Sequence, residues 1–417
     1  MTRVNASDED GIERDVVIIG GGPAGATAAT LLAQRGHDVL VLEALDFPRV
    51  HVGESLIPAA NRVLERLGVL DAIGALGCPA KYGVRFYTER GAGRPFYFSE
   101  ASDPALHMTW QVRRSDFDAM LLERARAAGA ELAMRTPAKE VLSTSSGEVR
   151  GVVAMRPDGQ RETIRARLVL DASGQRGLMT KHFGVREHID GLENAACWSH
   201  FDGVRLDAGK DAGSTLIYRV RRDTWLWLIP LPDSVSIGVV TPMRALASFG
   251  KDPVSILEAA IAACPAIGER MTGAERVAPV RVAKDFSYRS TCDGGPGWAL
   301  IGDALGFMDP VYSSGLFLAL RSAELAADAA ATQLGACSSG AVDMRGFAAD
   351  YHRAFERFLV IVRAFYAPGF RFSDFGQEGE RRKGLVDLFT GDVMTEQAGR
   401  VASDIRERCR IGSPLAS

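Results

Sequence analysis

The chain has 417 residues, of which 47% are hydrophobic and 24% are charged, and its formal net charge is −3. This balance lacks the basic surplus of a nucleic-acid-binding protein, and no segment approaches the roughly 20 consecutive apolar residues of a membrane span. We therefore expect a globular protein of one large or two joined domains, with neither a nucleic-acid nor a membrane partner.

The N-terminal region predicts a flexible leader followed by a βαβ unit. Residues 1–14 are expected to form the leader, because they are polar and acidic and contain no apolar signal segment. A short apolar run flanked by glycines is typical of a buried parallel strand, and Gly36 is placed to terminate the helix of the unit. The strand, glycine-rich turn, helix and second strand are predicted at residues 15–19, 20–25, 26–35 and 39–42.

The rest of the chain alternates between strand-rich and helical segments. Residues 113–129 have apolar side chains at helical spacing, whereas residues 139–170 alternate around two glycine turns in the manner of strands. Residues 195–240 predict an antiparallel sheet, because apolar and polar side chains alternate there. A strand is predicted at 298–301, and helices are predicted at 253–272, at 315–334 and from 345 onward.

These elements predict an α/β fold in which a discontinuous, Rossmann-like nucleotide-binding domain is interrupted by an antiparallel β-sheet substrate lobe and followed by C-terminal helices. The leader is expected at residues 1–14, and the nucleotide-binding domain at 15–80, 105–190 and 281–335. The β-rich lobe is expected at 81–104 and 191–280, and the helical region at 336–417.

The turn after the first strand satisfies the dinucleotide-binding pattern GxGxxG. Its first glycine permits a tight turn, its second lets the backbone approach a pyrophosphate, and its third allows close packing of helix on strand. The helix N-terminus then faces the phosphates with its partial positive charge, and an acid after the second strand accepts hydrogen bonds from a ribose. We therefore expect a dinucleotide to bind at Gly20, Gly22, Pro23, Ala24, Gly25 and Glu43.

Three later segments resemble motifs of the large FAD-dependent monooxygenases, which have a glutathione-reductase-type fold. Residues 298–304 are similar to the motif in which an aspartate touches the ribityl chain, and residues 168–174 are similar to the middle motif. Residues 111–118 resemble the segment that contributes a flavin-contacting arginine, most simply Arg114. The resemblance implies that the dinucleotide is FAD and that its further contacts are Gln111, Arg114, Asp171, Gly302 and Asp303.

Residues 225–230 read Trp-Leu-Trp-Leu-Ile-Pro and resemble Trp-x-Trp-x-Ile-Pro, the hallmark of the flavin-dependent halogenases. Residues 47–55, with Arg49 as a further FAD contact, resemble the loop after the second strand in the same family. The resemblance implies a barrier near the flavin that keeps substrate away and suppresses direct oxygen insertion. Ordinary packing of strand aromatics in a core is the alternative. The barrier residues would be Trp225, Trp227, Ile229 and Pro230.

Lys81 stands in a Lys-Tyr-Gly sequence that is similar to the Lys-x-Gly context of the essential lysine in that family. The resemblance implies that Lys81 hydrogen-bonds hypohalous acid or forms a haloamine, with burial tuning its pKa, whereas lysines are ordinarily found at the surface.

Residues 307–315 fit the family pattern FxxPxxSxG, in which Pro310 would contact FAD. We expect halide at the amides of Ser314 and Gly315, because a helix N-terminus attracts anions.

Together these motifs identify the chain as similar to enzymes that use reduced FAD, oxygen and chloride or bromide to make hypohalous acid. The expected reaction is halogenation of an electron-rich phenol or pyrrole in specialised metabolism, such as antibiotic biosynthesis. The short tail is closer to halogenases that act on pyrroles, often tethered to a carrier protein. Because no second GxGxxG occurs, a separate flavin reductase is expected to supply the reduced FAD.

Two other interpretations share the nucleotide motifs. One is an aromatic hydroxylase or a geranylgeranyl-reductase-like oxidoreductase, and the other is a non-enzymatic binding protein on a flavoprotein scaffold. The six cysteines form neither a CxxC pair nor a zinc-binding spacing, so we expect reduced thiols in a cytoplasmic protein and no metal. We expect either a monomer or a homodimer.

Overall fold

The computed structural model describes residues 12–284, 286–336, 340–377 and 379–412, so most of the predicted leader lies outside the described residues. The first strand is Ile12–Ile19, three residues longer at its start than predicted, because residues 12–14 also pair with a neighbouring strand. The helix is Pro23–Ala33, with Gly22 as its N-cap, and it starts earlier than predicted because proline is well suited to the first helical turn. The second strand is Val39–Leu42, as predicted.

The nucleotide-binding region is built on an eight-stranded sheet, which we call the central sheet. Its middle strands are parallel, and Ile12–Ile19 lies between Arg161–Asp171 and Val39–Leu42. Val16, Val17 and Ile18 are fully buried there, as expected of a strand covered on both faces. In spatial order the strands are Gly294–Gly295, Trp298–Leu300, Arg161–Asp171, Ile12–Ile19, Val39–Leu42 and Glu131–Ala133, with Val149–Met155 and Ala138–Ser143 added antiparallel beside Arg161–Asp171.

A second, nine-stranded sheet forms the predicted lobe, and we call it the lobe sheet. Its antiparallel order across 194–242 is as predicted, but Thr215–Arg221 pairs in parallel with Gly83–Thr88, so the sheet is mixed. This pairing joins the two chain segments that were expected to share the lobe. The strands in spatial order are Glu275–Arg276, Asn194–Asp202, Val235–Pro242, Thr224–Pro230, Thr215–Arg221, Gly83–Thr88 and Gly91–Ala92, with Arg281–Lys284 beside Asn194–Asp202 and Phe96–Tyr97 beside Gly83–Thr88.

The remaining strands form two small sheets. Ala80–Lys81 pairs with Thr109–Trp110, and Tyr288–Ser290 lies between Arg186–His188 and Gly306–Phe307. The first of these pairs contains Lys81, which lies opposite Thr109.

The predicted helices are present, with one exception, and the helices Ala60–Leu67, Leu70–Ala75 and Leu178–Phe183 were not predicted. The helix predicted at 253–272 is divided into Pro253–Ala262 and Pro265–Gly268, because Pro265 cannot continue a helix. Pro23–Ala33 packs against both Arg114–Ala127 and the long helix Ser314–Ala336. The remaining helices are Ala60–Leu67, Leu70–Ala75, Leu178–Phe183, Ala349–Tyr366, Phe372–Phe375, Gly379–Thr390 and Glu396–Arg408.

No helix in the described part of the chain is long and apolar enough to cross a membrane. Among the same residues, no group of acidic, histidine and cysteine side chains is arranged to hold a metal ion. The described cysteines are free thiols, and Cys337 lies outside the described residues; the free thiols are Cys78, Cys197, Cys264, Cys292 and Cys409.

Candidate active site

The glycine-rich turn has no room for side chains at its outer positions. Gly20 has a φ of +102°, and a Cβ there would lie 2.5 Å from the carbonyl oxygen of Ala172. A Cβ on Gly25 would lie 1.9 Å from the carbonyl oxygen of Gly20, so the helix packs directly on the turn. A Cβ on Gly22 would lie 3.0 Å from Arg49 Nη2. These contacts leave a bare backbone surface in front of the helix N-terminus, and such a surface fits a pyrophosphate.

Gly302 packs against Ala24, at the side of the glycine-rich turn. A Cβ on Gly302, which has a φ of +61°, would lie 2.8 Å from the Cβ of Ala24. The amide of Gly302 donates to Ser322 Oγ at 2.8 Å, which ties the second predicted FAD motif to the long helix. Thus the structure brings the first and last predicted nucleotide motifs into contact.

Glu43 is buried beside the turn. Its Oε2 accepts a hydrogen bond from the amide of Gly21 at 2.8 Å, and its Oε1 accepts one from the amide of Leu45 at 2.8 Å. A carboxylate oxygen accepts more than one hydrogen bond, so a ribose hydroxyl fits here in addition to these amides.

Two of the predicted FAD contacts are held by protein groups. The Arg114 guanidinium donates to both carboxylate oxygens of Asp118, at 2.7 and 2.9 Å, and to the carbonyl oxygen of Val52 at 2.6 Å. The Gln111 amide donates to the Gly213 carbonyl oxygen and to Thr215 Oγ1, both at 2.9 Å, and is fully buried. Arg49 Nη2 lies 3.6 Å from Asp118. The bond of Arg114 to Val52 fixes the loop after the second strand, whereas the bonds of Gln111 lead to the start of strand Thr215–Arg221.

Asp171 and Asp303 have different environments. Asp171 is fully buried, and its oxygens accept the amides of Ser173 at 2.9 Å and Met179 at 2.7 Å, which shapes the turn that touches Gly20. Among the described residues, no group forms a hydrogen bond with the Asp303 carboxylate, and burial raises the pKa of Asp303 to about 6 although Arg114 opposes this. Asp303 therefore has the free acceptor that a ribityl hydroxyl requires.

The tryptophan strand Thr224–Pro230 divides its side chains between two cores. Successive strand residues point to opposite faces, so Trp225, Trp227 and Ile229 belong to the main core, which also contains the strands of the central sheet, whereas Leu226 and Leu228 belong to a separate core. The two indoles lie 6.0 Å apart, and Pro230 ends the strand.

Gly238 makes the space for Trp227. It lies opposite Trp227 in the neighbouring strand, and a Cβ on it would lie 2.3 Å from the indole ring. Trp227 Nε1 donates to Ser236 Oγ at 3.1 Å. Gly238 has no recognisable signal in the sequence, because a glycine within a strand belongs to no motif.

Lys81 is buried and has no carboxylate partner among the described residues. Its Nζ donates to Ser55 Oγ and to the carbonyl oxygen of Leu56, both at 2.8 Å. Burial lowers the pKa of Lys81 to about 7. Ser55 Oγ is also 3.0 Å from Thr215 Oγ1, so the lysine is linked to the lobe sheet. Ser55 lies in the predicted loop after the second strand, but its contact with Lys81 had no signal in the sequence.

The turn before the long helix holds the predicted halide donors. Pro310 begins a short 3-10 helix, and Ser313, with a φ of +58°, connects it to Ser314–Ala336. The first amides of an α-helix have no carbonyl partner within the helix, so those of Ser314 and Gly315 are suitable donors to an anion. A Cβ on Gly315 would lie 2.9 Å from the ring of Phe307, so the helix start is tightly packed.

An aromatic cluster fills the space between the strand after Lys81 and this turn. Its centre is Phe86, whose ring centroid lies 5.9 to 6.4 Å from those of five other rings. A small cleft beside the cluster is lined in part by Ile217, Arg219 and Arg371. The members of the aromatic cluster are Phe86, Phe96, Tyr312, Phe365, Phe372 and Phe389.

Comparison with known proteins gives the family context. A model of the FAD binding domain matches residues 13–340. The chain is 35% identical over 319 residues to a 1H-pyrrole-2-carbonyl-[peptidyl-carrier protein] brominase of Pseudoalteromonas luteoviolacea, covering 76% of each chain. It is 28% identical over 416 residues to the corresponding chlorinase of Pseudomonas fluorescens, covering 94% of this chain and 92% of the relative.

Solved structures agree with these relatives. The flavin-dependent brominase Bmp2 has a TM-score of 0.86 at 28% identity, covering 95% of this chain and 98% of that one. The myxobacterial chondrochloren halogenase CndH has a TM-score of 0.79 at 30% identity, covering 97% of this chain and 98% of that one.

Proposed function

The chain belongs to the flavin-dependent halogenases of the FAD-binding domain family, and on this premise we propose that it halogenates a pyrrole ring carried on a peptidyl carrier protein. The hydroxylase and reductase alternatives are not favoured, because the relatives that share 30% or more of their residues with most of this chain are halogenases. Relatives named for a carrier-bound 1H-pyrrole-2-carbonyl group support the proposed substrate. A free phenol or pyrrole is the competing substrate class.

The residues around the glycine turn fit FAD. Gly20, Gly22, Pro23, Ala24 and Gly25 would surround the pyrophosphate, which the bare backbone at Gly20 and Gly25 supports. The free Asp303 carboxylate would accept from the ribityl chain, and Glu43 would accept from the ribose. Bound FAD, reduced by a separate reductase, supplies with oxygen the oxidising power that converts halide to hypohalous acid.

Other predicted FAD contacts have supporting roles in this proposal. Arg49, Arg114 and Gln111 would hold the loop over the cofactor, as their bonds to Asp118, Val52 and Thr215 indicate. Asp171 would hold the turn against Gly20, and Pro310 would lie at the flavin edge.

The chain's own residues would separate halide oxidation from ring substitution. The amides of Ser314 and Gly315 would hold the halide at the start of the long helix. Trp225, Trp227, Ile229 and Pro230 would form the wall between flavin and substrate, a role supported by the burial of both indoles on the inner face of the strand. The oxidised halogen would then pass to Lys81.

Lys81 is the residue whose geometry carries this function. A buried ammonium with two of its three N–H groups bonded to neutral oxygens retains one N–H for hypohalous acid. The aromatic cluster beside the following strand is packed ring on ring, and it would support one side of the space that a pyrrole ring occupies. The small neighbouring cleft, lined in part by Arg219 and Arg371, would mark the side from which the carrier arm approaches.

The test is mass spectrometry of the reaction with a flavin reductase, oxygen and bromide, supplied with pyrrolyl carrier protein or with free pyrroles and phenols. Brominated carrier-bound pyrrole, recognised by its paired isotope peaks and absent with Lys81→Ala, is expected. Bromination of free rings alone would overturn the carrier-bound substrate. Products that gain only oxygen would contradict the roles assigned to the wall and to Lys81.

A further inference from the structure

A buried polar bridge joins the tryptophan strand to the turn before the long helix. Trp225 Nε1 donates to the Tyr366 hydroxyl at 2.8 Å, and this hydroxyl donates to Asp309 Oδ2 at 2.9 Å. Asn194 Nδ2 donates to the same Asp309 oxygen at 3.1 Å. We call Asn194, Trp225, Asp309 and Tyr366 the polar bridge. It connects two strands of the lobe sheet, the end of helix Ala349–Tyr366 and the turn.

The bridge satisfies the hydrogen bonding of Asp309 at a site with almost no access to water. Asp309 and Trp225 are each only 1% exposed, and the second oxygen of Asp309 accepts the amide of Val311 at 3.0 Å. A buried carboxyl is costly unless its hydrogen bonds are made, so removing one partner is expected to disturb the others. The pKa of Asp309 is raised to about 6 by the same burial.

The turn needs such an anchor because it contains an unfavourable backbone conformation. Ser313 adopts a left-handed conformation, with a φ of +58°, that non-glycine residues rarely take. Residues held in this way persist only where surrounding contacts fix them. The bonds of Asp309 fix the turn on one side of Ser313, and the amides of Ser314 and Gly315 follow on the other side.

We propose that Tyr366 and Asp309 are positioning residues that hold the halide-binding amides of Ser314 and Gly315 in place and couple them to the Trp225 wall. The inference rests on the proposed halide site. Through one hydroxyl, Tyr366 sets both the wall and the anion site, so halide capture and exclusion of substrate from the flavin depend on the same contact.

The test compares Tyr366→Phe with Tyr351→Phe. Tyr351 lies in the same helix and is more deeply buried than Tyr366, but its hydroxyl donates to the Gly306 carbonyl oxygen at 3.3 Å, outside the bridge. In the FAD-free protein we expect hydrogen exchange of the peptide covering residues 311–317 to be about tenfold faster in Tyr366→Phe and unchanged in Tyr351→Phe. In the FAD-loaded enzyme we expect the KM for bromide to rise about tenfold, with a smaller change in kcat.

Unchanged exchange in a folded Tyr366→Phe protein would overturn the proposal. Faster exchange without a change in the bromide KM would overturn the coupling to halide while leaving the halogenase assignment intact. If wild-type protein halogenates none of the tested rings, the proposed substrate fails, but the exchange experiment still decides whether the bridge holds the turn. Should Tyr366→Phe not fold, Asp309→Asn gives the same comparison. Both carboxylate oxygens of Asp309 accept hydrogen bonds, and the side-chain amide nitrogen of asparagine would replace one of these acceptors with a donor.

Discussion

At the scale of single residues, Lys81 has a lowered pKa that its sequence motif does not explain. The Lys-Tyr-Gly context predicts an important lysine, but only its burial among neutral partners lowers its pKa to about 7. Ser55 and Leu56, which supply those partners, are about 25 residues away in sequence. The charge state of the lysine is therefore decided by residues that its own motif does not include.

Replacement of Lys81 by methionine should separate catalysis from folding. A lysine whose folded pKa lies below its unfolded pKa of about 10.4 destabilises the folded state at pH 7, by an amount on the order of a few kcal/mol. We expect Lys81→Met to lose halogenation at least about 100-fold, with a thermal midpoint that is unchanged or higher. Lys139→Met, at an exposed site, is the control and should keep both properties. A large fall in the thermal midpoint of Lys81→Met would contradict the role of burial.

The same pKa predicts a pH dependence. Below about pH 7 Lys81 is an ammonium, and above it the proton that would bond hypohalous acid is lost. We expect kcat, measured at saturating bromide and substrate, to fall as pH rises through about 7. Asp303 and Asp309 titrate near pH 6, so changes on the acid side belong to them. A kcat that rises through pH 7 would instead support the neutral amine, and hence a haloamine.

At the scale of elements, the tryptophan strand shows how one short segment serves two cores. Alternation along Thr224–Pro230 was visible in the sequence, and it predicts which side chains share a face. Which face joins the main core depends on the neighbouring strands. Gly238, whose missing side chain admits the Trp227 indole, lies on one of those neighbours.

Gly238→Ala should disturb this arrangement. The added methyl would meet Trp227 at 2.3 Å, inside a packed core, so we expect a destabilisation of about 1–3 kcal/mol. If the indole moves, the wall opens, and more hydrogen peroxide should form per reduced FAD consumed. Gly74→Ala, in a helix and with nothing within 4 Å, is the control. Equal stability and equal peroxide in both variants would refute the function given to Gly238.

At the scale of the whole molecule, the nucleotide site is assembled from distant parts of the chain. Gly20 meets Ala172, and Ala24 meets Gly302, so three segments close around one turn. Because the site exists only in the folded chain, FAD should stabilise the protein by mass action, by about 2.7 kcal/mol at a concentration one hundred times its Kd.

Thermal unfolding with and without FAD checks this expectation. Wild type should gain in thermal midpoint, and Gly25→Ala should not, because its methyl would lie 1.9 Å from the Gly20 carbonyl oxygen. Gly21→Ala is the matched control, since its methyl would meet the movable side chain of Leu122 at 3.1 Å and Glu43 Oε2 at an ordinary contact distance of 3.4 Å, and it should retain the shift. A full shift in Gly25→Ala would mean that the turn does not hold the pyrophosphate.

The sequence by itself determined the βαβ unit, the antiparallel sheet across residues 194 to 242 and the family, because these depend on local spacing and on short contiguous motifs. It did not show that Pro265 divides a predicted helix or that Thr215–Arg221 pairs in parallel with a distant strand. Only the tertiary structure decided which groups bond Lys81 and that Gly238 leaves space for the Trp227 indole. It also decided the polar bridge, in which Trp225 bonds Tyr366, 141 residues away in sequence, and Tyr366 bonds Asp309. Burial, hydrogen bonding and pKa depend on which groups meet in space, and residues so far apart are brought together only when the two sheets pack.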